Sequence, residues 1–126
     1  MNLLKPIQSL ALVLLGVTTL STPTVFAQAS YPNKPIKLFV GFPPGGGVDF
    51  TARLIAPYLA EALGQQVIVE NKPGAGSVLG ADFVAKSTPD GYTFFVSAGG
   101  IITNPMIKKT MPYKEGDLVP VALLAV

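Results

Sequence analysis

The chain has 126 residues, with nine Lys and Arg against seven Asp and Glu, a formal charge of +2, and no Cys, His or Trp. The lack of Cys excludes disulfides and thiolate chemistry, and the lack of His excludes Ser–His–Asp and Cys–His catalysis and His- or Cys-ligated metal centres. No basic stripe runs through the sequence, so nucleic-acid binding has no support.

Residues 1–29 read as an export signal. Lys5 is the charge of the leading segment, Leu10 to Val17 is its apolar core, and Ala27-Gln28-Ala29 fits the small-residue cleavage pattern, with Val25-Phe26-Ala27 as an earlier option. The apolar run is well short of the ~20 residues that cross a bilayer. Cleavage after Ala29 leaves 97 residues with a charge near +1, enough for one small domain and short for a two-lobed receptor. An exported chain without Cys carries no lipid-modified Cys, which points to the periplasm.

Past a polar lead-in with two prolines, Ile36 to Val40 predicts a strand closed by Gly41. The turn Gly41-Phe42-Pro43-Pro44-Gly45-Gly46-Gly47-Val48-Asp49 follows, with Asp49 as the expected N-cap of a helix. Leu54, Ile55, Tyr58, Leu59, Ala62 and Leu63 recur at helical spacing, Pro57 should bend that helix, and Gly64 stops it. Gln66 to Glu70 predicts a second strand, and Asn71-Lys72-Pro73-Gly74-Ala75-Gly76-Ser77 a second glycine-rich turn. Val78, Leu79, Phe83 and Val84 mark a helix ending near Lys86, and Pro89-Asp90-Gly91 a turn. Thr93 to Val96 predicts a strand buried on both faces, Ser97 to Pro105 a loop, and Met106 to Lys109 a helical turn. The order strand–helix–strand–helix–strand predicts an α/β fold with βαβ units on a parallel sheet.

Both glycine turns fall at strand carboxyl ends, where such sheets bind ligands. Gly45, Gly46 and Gly47 let a ligand approach the backbone, and the helix behind them offers N–H donors to an anion. Gly76 and Ser77 offer the same, plus a hydroxyl. Ser97, Thr103 and Asn104 sit on the same sheet edge and can add neutral hydrogen bonds. Asp49 reads as a helix cap, Asp90 as a turn former, and Arg53, Lys108, Lys109 and Lys114 as solvated surface residues. Gly74, Gly76 and Gly80 match a G-x-G-x-x-x-G spacing, but the next strand ends at Val96-Ser97-Ala98-Gly99 without the acid that would hold a ribose. An exported phosphate- or nucleotide-binding enzyme is therefore the weaker alternative to a binding protein that needs no cofactor or metal and does no chemistry.

The segments Tyr31-Pro32-Asn33-Lys34-Pro35-Ile36, Phe42 to Asp49, Asn71 to Ser77, Thr88 to Thr93, Asn104-Pro105 and Pro120 to Leu123 together resemble the N-terminal part of the tripartite tricarboxylate transporter substrate-binding proteins, the Bug or TctC-like family. The resemblance implies a type II periplasmic binding protein fold that captures di- and tricarboxylates or acidic amino acids for a membrane transporter pair. It places the ligand's carboxylate on main-chain groups of the two turns, here Phe42, Pro44, Gly46 and Gly47 in the first and Gly76 and Ser77 in the second. Family members are longer and have a second lobe. Residues 30–126 are accordingly expected to form an incomplete N-terminal lobe with an uncovered sheet edge and apolar patch, or else a fragment without stable fold or activity.

Overall fold

A computed structural model describes residues 30–124; the expected export signal at 1–29 lies outside the described residues. The chain forms the expected parallel α/β sheet. Its elements are β1 (Ile36–Val40), α1 (Gly47–Leu63), β2 (Val67–Asn71), α2 (Val78–Ala85), β3 (Thr93–Val96), α3 (Gly100–Ile107) and a 3-10 turn at Glu115–Asp117.

The strand order is β2-β1-β3, all parallel, with Ile36 opposite Val67 and Lys37 opposite Thr93. The first crossover steps from β1 to one side and the second returns across it. Crossovers of one hand then place their helices on opposite faces of the sheet. The side chains show that division. Ile36, Leu38, Val40 and Val96 pack with Ala52 and Val48 of α1, while Phe95 packs with Val78 and Ala81 of α2, joined by Tyr113. Phe39 meets Phe83 of α2 edge to face at 4.8 Å. The strand buried on both faces is thus β1. In β3, expected to be so, Thr93, Phe94 and Phe95 are only half-buried, because β3 is an edge strand among the described residues.

Three further expectations are corrected. First, the stripe of α1 against the sheet is small: Ala52 and Ala56 are buried, while Leu54 and Tyr58 are 53% and 69% exposed. Alanines let the helix lie close to the strands, so the larger apolar residues project past the contact. Second, Asp49 does not cap α1. The helix begins at Gly47 behind Gly46, which is extended at φ −77° and ψ 167°, and Asp49 occupies the first turn. Third, residues 100–107 are helical rather than a loop. Three β-branched isoleucines, Gly100 and Pro105 give this segment weak intrinsic helicity, and packing of Ile101 and Asn104 overrides it. Elsewhere α1 runs continuously through Pro57 and stops at Gly64, which is left-handed at φ 65°. β2 lies one residue later than expected, at Val67–Asn71.

At the amino ends of the strands, Tyr31 Oη donates to the Gly91 carbonyl at 2.6 Å and Lys34 pairs with Asp90 at 2.9 Å, tying the lead-in to the Asp90 turn. At the other end of the sheet the backbone closes up. A Cβ at Gly80 would lie 2.9 Å from the Lys72 carbonyl oxygen, 2.9 Å from the Phe95 ring and 3.1 Å from Gly41 Cα. Glycine there lets α2 sit directly against the exit of β1. Gly80→Ala should therefore lower stability by about 1–3 kcal/mol through overpacking. Gly116→Ala, at a position with open space around it, should leave the urea midpoint unchanged. Chemical denaturation of both variants checks this.

Candidate functional site

The two glycine turns leave the carboxyl ends of adjacent strands, β1 and β2, and each leads into a helix. The first is built around one carboxylate. Asp49 is 3% exposed, and Asp49 Oδ2 accepts the Gly45 N–H at 2.9 Å. Arg53, one turn on, donates its Nε to both carboxylate oxygens at 3.0 Å, and Asn71 Nδ2 donates to Oδ1 at 2.8 Å. The same Asn71 nitrogen donates to the Phe42 carbonyl at 3.0 Å, and Arg53 Nη2 donates to Asn71 Oδ1 at 3.0 Å. Asp49, Arg53 and Asn71 thus form a closed set that joins both ends of the first turn to the last residue of β2. Arg53, then the Gly45 N–H and Asn71, stabilise the ionised form and hold the carboxyl down at about 2.

The second turn is held by backbone geometry. Gly74, Ala75, Gly76 and Ser77 all have positive φ, at 141°, 50°, 67° and 71°. Left-handed backbone costs L-residues roughly 1–2 kcal/mol each, so Ala75 and Ser77 are strained. Contacts from α3 accompany the strain: Asn104 Nδ2 donates to the Gly76 carbonyl at 2.8 Å, and Lys108 Nζ to the Ala75 carbonyl at 2.7 Å. Asn104 is itself buried. The first turn of α2 has no acidic residue, whereas that of α1 has Asp49, so the positive pole of α2 carries no such local offset.

The expected site residues fall as follows. Gly46 and Gly47 stand at the start of α1, and Gly76 and Ser77 at the start of α2. Phe42 is half-buried against the α1-side core, and Pro44 is exposed. The Ser77 side chain is 2% exposed and turned inward; a Cβ at Gly41 would lie 2.5 Å from Ser77 Cβ. Ser97 Oγ donates to the Ala98 carbonyl at 3.1 Å and Thr103 Oγ1 to the Gly99 carbonyl at 3.2 Å, so both hydroxyl protons serve local backbone. Arg53 and Lys108 were not foreseen as parts of this edge, and Asn71, expected as the start of the second turn, was not foreseen to hold Asp49. Only the Asp49–Arg53 spacing of four residues signalled one of their contacts. A groove follows the outer edge of β3, lined by Phe94, Val96 and the segment from Leu118 to Leu123, with Gly47 and Ser97 also in its wall.

Because the Asp49 carboxyl titrates below its ordinary value of about 3.9, it stabilises the folded chain above that pH, and the contribution is lost as pH falls from about 4 to about 2. Asp49→Asn should reduce stability at neutral pH and flatten the acid limb of the stability profile in that window. Urea midpoints of the two proteins between pH 2 and 7 check the outcome.

A family model described as tripartite tricarboxylate transporter family receptor matches residues 51–126. Protein BugT of Bordetella pertussis is 39% identical over 118 residues, covering 91% of this chain and 36% of BugT. Among solved structures, R. palustris Rpa4515 with adipate is 40% identical, with a TM-score of 0.64 over 68% of this chain and 29% of that one. MatC from Rhodopseudomonas palustris with bound malate is 36% identical, with a TM-score of 0.62 over 75% of this chain and 33% of that one. The chain spans about a third of the length of the curated relatives it matches. Sequence and fold agree, and the chain belongs to the family of tripartite tricarboxylate transporter receptors.

Proposed function

We propose that residues 30–126 form the N-terminal wall of a periplasmic receptor site for small carboxylates. The ligand's carboxylate lies across the main-chain amides of Gly46 and Gly47 and of Gly76 and Ser77, at the start of α1 and α2. The observation that carries this reading is the pair of glycine turns on neighbouring strand ends, one closed around Asp49 and the other held in a left-handed turn. Fixed amides at helix starts favour an anion without a side-chain cation. Backbone, more than side chains, makes the contact, because the donor protons of Ser97 and Thr103 are already engaged. Phe42 and Pro44 flank the first cradle, and Asn104 stands behind the second.

The bound adipate and malate of two solved relatives are dicarboxylates, which supports this class of ligand. The receptor would bind without transforming its ligand and pass it to the membrane subunits of a tripartite transporter. Adipate, malate, citrate and glutamate, each tested against the full chain, should raise its melting temperature in at least one case. At a hundred times Kd the stabilisation amounts to about 2.7 kcal/mol. Gly76→Val, which forces a β-branched residue into φ 67°, should abolish the shift. Absence of any shift across the panel would overturn the reading.

A further inference from the structure

The geometry points to Lys108 and Asn104 as positioning residues that hold the 74–77 turn left-handed, so that its amides stand ready for a bound carboxylate. The inference rests on the receptor reading and adds a role for α3, which touches the turn but not the first cradle's Asp49 set.

Residues 75–77 share one handedness, with φ of 50°, 67° and 71°. In such a run the carbonyls leave the turn on one side and the amides on the other, as they do along any helix. Left to themselves, Ala75 and Ser77 would relax out of this region. The two consecutive carbonyls are each taken by a side chain from α3 or its C-cap: Ala75 by Lys108 Nζ at 2.7 Å and Gly76 by Asn104 Nδ2 at 2.8 Å. The two donors are four residues apart, and Lys108, the extended C-cap of α3, closes its N–H on the Asn104 carbonyl at 2.9 Å, which ties its position to the end of the helix. This clamp therefore grips the carbonyl side and makes no hydrogen bond to the amides. Lys108 donates from an ammonium, which strengthens its hydrogen bond and adds positive charge beside the uncompensated start of α2. Its half-buried side chain belongs to neither hydrophobic cluster, so removing the ammonium should not disturb the core.

The test compares the wild-type full chain with Lys108→Met, Lys108→Arg and Asn104→Ala, and uses Lys109→Met, at an exposed neighbour, as the control. Backbone amide exchange is read by NMR at 74–77, and adipate affinity by calorimetry. Lys108→Met should speed exchange at these amides about tenfold and weaken adipate about tenfold, the size expected for losing one hydrogen bond from a charged donor, with the global urea midpoint lowered by no more than that one bond accounts for. Lys108→Arg should restore both readouts, and Lys109→Met should move neither. Unaltered exchange at 74–77 in Lys108→Met overturns the positioning role, as does faster exchange without weaker adipate binding. If the wild-type chain binds no adipate, the exchange arm still decides whether Lys108 holds the turn. The receptor reading is then judged separately by the wider ligand panel.

Discussion

A buried carboxylate with all its neighbours assigned fixes the geometry on which the site depends. Asp49 accepts from Gly45, Arg53 and Asn71, and Asn71 passes the constraint on to Phe42. One side chain thereby sets the path of the first glycine turn, the start of α1 and the distance from β1 to the end of β2. An isolated carboxylate at that depth would be strongly unfavourable. Here the desolvation is offset by charge-assisted hydrogen bonds from Arg53 and by two neutral donors. The stripe of alanines in α1 is a companion requirement: only a helix lying close to the sheet brings position 49 within reach of Asn71.

The two turns solve the same problem with opposite chemistry. The first is a triglycine run restrained from within by an anion: Gly45 N–H donates to Asp49 and Gly46 N–H to the Pro43 carbonyl. The second contains two L-residues in left-handed backbone and is gripped from outside by a cation and an amide. Gly41 and Gly80 connect the two arrangements, because their lack of side chains allows the exit of β1 to touch α2. A disturbance in either turn is therefore felt at the shared contact.

Much of the scaffold was legible in sequence because its signals are local. A short apolar run closed by Gly41 marked β1, similar apolar runs marked β2 and β3, and Gly64 marked the end of α1. What escaped is long-range. Asn71 meets Asp49 across 22 residues and Lys108 meets Ala75 across 33, and nothing in the neighbourhood of either residue announces its partner. The helix α3 was missed because its composition opposes helix formation while its packing demands it. Asp49 was recognised as important, but its direction was reversed: from the first turn its carboxylate reaches back into the loop instead of forward to the helix amides. The large apolar residues of α1 marked the helix by their periodicity, which reports where a helix could bury surface and not how much surface faces it.

The left-handed run at 74–77 also bears on timing. Its ordering cost is met when the chain folds, so in the proposed receptor an arriving anion would find the turn already shaped. Association then needs no loop search of its own, and its rate is set by diffusion and by the width of the approach. Residence time, in contrast, would be governed by whatever encloses the ligand from the opposite side. Capture and retention in the proposed receptor would thereby fall to different parts of the site.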